Sequence, residues 1–416
     1  MTLSAIDTEP ACPEAPKDEP RAPRPAPVAV PSAAVLEAAA PALRIQPRNL
    51  TAIPRETWDR LAAANPWATP FSAWAFHRAW WDAYGESAHE QTLVAVPVDG
   101  PPDADPVAIV PLMHRHEVEP EDAERHTTLR HEHGADLTPV PPTAKAIFFG
   151  ASYHADYATI LANPADLPAV ADALVAHLAE ATRPAGPEQA WDVVDLRRLR
   201  CEDPVADALA AAFRRREMAE GWTLNLERED VCPVATLPAG GTFDEYLGTL
   251  DKKERHEIRR KVRRAEAAGE VVLAESADPL ADLEAFIDLH QRRWGADGLF
   301  PPTEGGAQSR VLFRRLFELF GPGGALRLSF LTVGGRRIAA GVHFETADAI
   351  LYYNAGVDPD ARDLSPGVVM VERFLRRALE RGQRRMDFLR GDESYKYEWG
   401  ARDEPIQRLL VRRRVE

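Results

Sequence analysis

YYNAGVDPDARDLSPGVVMVERFLRRALERG, residues 352–382, is the stretch on which the fold reading turns. It opens as a strand that ends at Val357-Asp358-Pro359, and a short polar loop follows. Ser365-Pro366-Gly367 then starts a helix, with serine at the N-cap and proline at the first helical position. Gly367 leaves the backbone N–H groups of that first turn open to a close ligand. A helix N-terminus with free amides is an anion site, particularly for a pyrophosphate. The plainer alternative is a well-capped amphipathic helix that binds nothing.

Working outward, residues 325–359 alternate as a three-strand meander, with turns at Gly334-Gly335 and near Asp348. Upstream, 243–269 predicts one long helix closed by Gly269, then a strand at 270–276 and helices at 280–298 and 310–321. The long helix carries eight Lys/Arg and two Glu between Lys252 and Arg264. Such a run is either solvated surface or a seat for phosphate groups. Downstream, 384–391 reads as a strand and 408–415 as a last one. Between them RGDESYKYEWG (390–400) crowds Asp392, Glu393, Tyr395, Lys396 and Tyr397 behind a glycine. Strand ends favour reacting groups, although a solvated loop of ion pairs would look the same.

The first half has the same texture. PFSAWAFHRAWWDAYGE (70–86) predicts an aromatic helix, and aromatic clusters of this kind are usually core. A hairpin at 92–100 and 106–118, strands at 146–150 and 157–162, a helix at 164–182, a strand at 191–199, a helix at 204–220 and extended segments at 222–237 follow. TLVAVPV…PVAIVPL echoes LSFLTV…RIAAGVHF, and WDVVDLRRL echoes RMDFLRG. The chain therefore predicts a mixed α/β (α+β) fold of two similar units, the first degenerate, at 45–235 and 236–416. Residues 1–44, rich in Pro and Ala without an apolar period, predict a disordered leader.

Composition narrows the function. The 416 residues carry a net charge of −15, and residues 1–240 hold 20 Lys/Arg against 36 Asp/Glu. That argues against DNA as a partner of the whole protein and leaves the second half free to hold an anion. Three scattered cysteines exclude a disulfide scaffold and a cysteine-rich zinc module, and fit a reducing compartment. Five histidines (His114, His116, His126, His131, His133) lie close together, but no cysteine or spaced carboxylate completes a metal set. No apolar run reaches the ~18 residues of a membrane span, and no secretory signal opens the chain, so a cytoplasmic protein is expected. G-x-S-x-G, P-loop and Rossmann fingerprints are absent.

Residues 243–400 resemble the CelD-like branch of the GNAT acyltransferase superfamily, a group named for cellulose biosynthesis. The resemblance is carried by YLGTLDKKERHEIRRKVRRAEAAG, LHQRRWGADG, the 336–382 segment and MDFLRGDESYKYEWG. FSAWAFHRAWWDAYG and HADYATIL look like the family's N-terminal region. The branch is similar to the Fem peptidyltransferases, which carry two GNAT-like folds in tandem. The resemblance implies two tandem GNAT-like units and transfer of an acyl group, acetyl above all, from acyl-CoA to an amine. The acceptor would be a small molecule, a sugar or an envelope precursor. A Fem-like transferase using aminoacyl-tRNA and a non-catalytic metabolite-binding protein are the alternatives.

The same resemblance places the site. Asn354, Ala355, Gly356 and Val357 would lie along pantetheine, and Arg362, Ser365 and Gly367 around the pyrophosphate. The usual loop, R/Q-x-x-G-x-G/A, is altered here, since Pro366 lacks an N–H. Glu345 is expected as base, a strand amide near Ala355 as the carbonyl's polariser, and Tyr395 or Tyr397 as proton donor to the thiolate. Lys396 would grip an anionic group, with Asp392, Glu393 and Tyr353 at the acceptor. No metal is expected.

Overall fold

The computed structural model describes residues 42–115, 137–141, 143–181 and 190–413. All but the last three residues of the expected leader lie outside these, as do four of the five clustered histidines. The first described strand opens at Leu43, two residues before the start expected near Ile45.

Eleven strands form one mixed sheet. In chain order they are β2 (Ala88–Glu90), β5 (Leu112–Arg115), β6 (Ala146–Phe149), β8 (Val193–Arg200), β9 (Trp222–Thr236), β10 (Val271–Glu275), β11 (Leu326–Val333), β12 (Arg336–Glu345), β13 (Ala349–Val357), β14 (Arg385–Asp387) and β15 (Arg402–Arg413). The remaining four, β1 (Leu43–Pro47), β3 (Leu93–Pro97), β4 (Ala108–Val110) and β7 (Leu161–Ala162), make a small sheet of their own. The expected hairpin is β3 with β4, but its second arm continues past Pro111 as β5 into the large sheet.

Spatial order in the large sheet is β10-β11-β12-β13-β14-β9-β15-β8-β6-β5-β2. Each end is an antiparallel run that closes on one parallel pair, β13 with β14 and β6 with β8. Both parallel contacts are brief. β13 meets β14 only from Ala349 to Leu351, then runs on to Val357 beside β12 alone. A gap therefore opens in the sheet past Leu351.

The centre of the sheet is exchanged. β9, the last strand of the first unit, pairs with β14 of the second; β15, the last strand of the chain, pairs with β8 of the first. β9 and β15 pair with each other along twelve residues. Strand alternation specifies which face is buried and not which strand lies alongside, so the sequence carried no sign of this. The polar opening of β15, Arg402 to Pro405, also hid its first six residues.

Helices cover the faces: α1 (Arg55–Ala64), α2 (Trp74–Tyr84), α3 (Leu167–Ala181), α4 (Pro204–Glu220), α5 (Phe243–Gly248), α6 (Lys252–Ala268), α7 (Pro279–Trp294), α8 (Glu304–Phe320), α9 (Pro366–Glu380) and α10 (Ser394–Tyr397). The long helix expected at 243–269 is two. Thr242 and Glu245 form a capping box on α5, and Asp251 starts α6 afresh with its carbonyl accepting from Arg255 N. α2 is core, as expected: Phe76, Trp80 and Tyr84 are fully buried. They pack with Phe71 against Phe313, Leu316, Phe344 and Tyr353, so one apolar cluster spans both units. Each such side chain contributes about 1.5–3 kcal/mol by leaving water. No described helix is long and apolar enough to cross a membrane.

Candidate active site

The gap past Leu351 is the floor of a cleft of about 760 Å³. One wall is β13 from Tyr352 onward. Pairing with β12 slips between Val342 and His343, which leaves Tyr353 as a bulge between Tyr352 and Asn354. The Tyr353 hydroxyl donates to the His154 carbonyl at 3.0 Å, and burial pushes this phenol well up. Burial likewise pushes Tyr352 up to about 12.

Asn354, Ala355 and Val357 line the cleft. Gly356 does not; a Cβ there would sit 2.4 Å from the His290 nitrogen, so it is the point where α7 crosses β13. His290 Nδ1 donates to the Ala355 carbonyl at 3.2 Å and Nε2 accepts from Leu299 N at 3.1 Å, which defines a neutral imidazole.

The first turn of α9 forms the mouth, where Arg362, Ser365 and Gly367 all line the cleft. The preceding loop is pinned by Asp358, which accepts from Arg292 at 2.6 Å, from Arg336 and from Asp360 N. Ser365 adopts φ 52°, ψ 54°, a left-handed conformation, and its Oγ accepts from Arg264 of α6 at 2.7 Å. Its carbonyl takes the Val369 N–H, and Pro366 has none to give. Gly367 and Val368 are thus the two first-turn amides without an intrahelical acceptor. A Cβ on Gly367 would meet nothing within 4 Å.

The segment after β14 closes the inner end. Asp387 accepts the Tyr157 hydroxyl and Leu389 N, both at 2.8 Å, and burial raises its carboxyl. Leu389 is held at φ 58°. Lys396, expected to grip a ligand, is 2% exposed, and its Nζ donates to the carbonyls of Leu389, Arg390 and Gly391 at 2.9–3.0 Å. Glu393 completes the cage at 2.9 Å. With its three protons committed to the protein, Lys396 shapes the cleft wall instead of binding an anion. Asp392 is exposed outside the cleft, while Glu393 and Tyr395 line it. Burial pushes the Tyr395 phenol up. Tyr397 points elsewhere, donating to Asp403 at 2.7 Å.

Glu345 is also elsewhere, at the far end of β12. Burial would raise its carboxyl, but His343, Arg377 at 2.8 Å and Arg381 hold it down at about 2. It lines a separate pocket with Arg327 and Arg381, outside the cleft, and is too firmly paired to act as a base there.

Sequence reasoning missed what the first unit brings. Tyr153, His154, Asp156 and Asp230 line the same cleft. Asp156 pairs with Arg390 at 3.3 Å, so HADY and FLRG face each other. The signal was present in HADYATIL, but only as a resemblance without a role.

Residues 252–397 match the acetyltransferase (GNAT) domain family. The matched span runs from α6 through α10 and includes β13, the first turn of α9 and Lys396. The whole fold is similar to the crystal structure of FemX, with TM-score 0.53 at 12% identity over 85% of this chain and 96% of that one. It is also similar to a conserved protein of unknown function from Bacteroides thetaiotaomicron, with TM-score 0.51 at 14% identity over 89% and 99%. At these identities the likeness is one of fold. No curated protein matches the chain. Among the described residues no group of three His, Cys, Asp or Glu is placed to hold a metal.

Proposed function

We propose that the protein is a cytoplasmic N-acyltransferase of the CelD-like branch, moving an acyl group, acetyl above all, from acyl-CoA to the amine of a small molecule, sugar or envelope precursor. The supporting observation is that one cleft contains both the free edge of β13 and the open first turn of α9. Pantetheine would lie along Asn354 to Val357, with phosphate at the amides of Gly367 and Val368 and the guanidinium of Arg362. The thioester would then reach the inner end, beside Tyr395. Its raised phenol stays protonated and can donate to the departing sulfur.

The test is calorimetric titration with CoA. Gly367→Glu places a carboxylate at the phosphate site, on a Cβ that meets nothing within 4 Å. CoA affinity should fall at least about tenfold, or ~1.4 kcal/mol, while the melting temperature of the free protein holds. Equal affinity in the variant would overturn the donor site.

The Fem-like alternative draws on one feature, the basic face of α6 reaching the mouth through Arg264 and Ser365. A titration with aminoacyl-tRNA in place of CoA separates the two.

A further inference from the structure

We infer that Asp156, from the first unit, is the group that receives the acceptor's ammonium and takes its proton. This rests on the acyltransferase reading above. An amine reaches the cleft protonated and must shed that proton to attack a thioester, so a carboxylate is needed where the acyl carbon lies.

Five carboxylates line the cleft: Asp156, Asp230, Asp297, Asp358 and Glu393. Arg292 and Arg336 hold Asp358 at the mouth, and Lys396 holds Glu393. Asp297 is exposed in the turn after α7. Asp230 folds back on the following amide, Val231 N, at 2.8 Å. Asp156 differs. Its Oδ1 lies 3.3 Å from Arg390 Nε, and Oδ2 accepts no hydrogen bond within the described residues.

Its position is over-determined from both units. The neighbouring His154 sits at φ 68°, a conformation that costs a non-glycine residue of order 1–3 kcal/mol and persists only where surroundings enforce it. The enforcement is visible: Tyr353 donates to the His154 carbonyl, and His154 Nε2 meets the Tyr84 hydroxyl at 2.9 Å. On the other side Tyr157 is bound to Asp387, where β14 ends. Asp156 is thus clamped between a contact to the β13 bulge and a contact to the last residue of β14. Those two points bound the gap in the sheet.

The protons balance as follows. The nitrogen forms its bond to the acyl carbon as the carbon–sulfur bond breaks. Of the two protons the nitrogen sheds, one passes to Asp156 Oδ2 and on to solvent. The other ends on sulfur by way of Tyr395.

The experiment compares Asp156→Asn with the parent protein on acetyl-CoA and two kinds of probe amine. Ethylamine and glucosamine must lose a proton; hydroxylamine is largely unprotonated at neutral pH. Asparagine keeps the size and the acceptor for Arg390, so folding and CoA affinity should hold. Turnover with the first two amines should fall at least about 100-fold, and with hydroxylamine less than tenfold. Asp156→Glu should recover part of the loss. Equal losses with all three amines, or undiminished turnover, would overturn the assignment. A parent protein that does not bind CoA would instead fail the donor reading, and the titration reports that separately.

Discussion

Lys396 binds the turn between β14 and α10 from within, through the carbonyls of Leu389, Arg390 and Gly391. Removing it leaves three buried acceptors without a donor and Glu393 without its cation. Lys396→Met, close in shape but uncharged, should lower stability by about 3 kcal/mol, read as the urea midpoint. An unchanged midpoint would return the lysine to ligand duty. The residue type and the crowding were legible in RGDESYKYEWG; the direction of the side chain was not. Spacing places Lys396 five to seven residues after the carbonyls it binds, and only the left-handed Leu389 and the turn at Gly391 fold the backbone round to meet it. Tyr395 was legible for the opposite reason. α10 is one short turn, so Tyr395 and Tyr397 diverge, the former lining the cleft and the latter turning to Asp403.

Between elements, the fastening of α9 is asymmetric. Its first turn faces the cleft, while Arg377 and Arg381 in its last turn and beyond hold Glu345 at the end of β12. This staple titrates. Glu345 is held at about 2, below its ordinary 4.5, so its contribution is complete above the unfolded value and is lost as pH falls through the folded one. Urea midpoints of the parent protein should therefore drop between about pH 5 and pH 2, by on the order of 2 kcal/mol from this group. Glu345→Gln should be less stable above pH 5 and show a shallower acid slope. Identical slopes would deny the staple. At this scale the sequence was most readable, because period and caps are local: α2, α3, α4 and the β11–β13 meander stand where alternation and capping residues put them. The break before α6 was missed for want of weight on Asp251 and Glu254, spaced as a cap and its N3 partner.

Across the whole molecule, the two units share one sheet and one apolar cluster. Residues 1–240 carry the excess of acid, and Asp156 of that half joins Arg390 of the other across the seam. Partner choice between distant strands depends on the full three-dimensional packing, which no window of sequence contains. Deleting residues 402–416, from the end of the second unit, should thus damage the first, since β8 and β9 both lose a neighbour. Amide exchange should show protection lost in Val193–Arg200 as well as in β9; protection retained in β8 would refute the interlock. The exchange also governs how the protein is born. β8 ends at Arg200 and its partner β15 starts at Arg402, so during synthesis the strand waits for some two hundred further residues, roughly 10–40 s at ribosomal speed. Throughout that interval the nascent first unit carries an open strand edge, and the last strand to be made is the one that closes it.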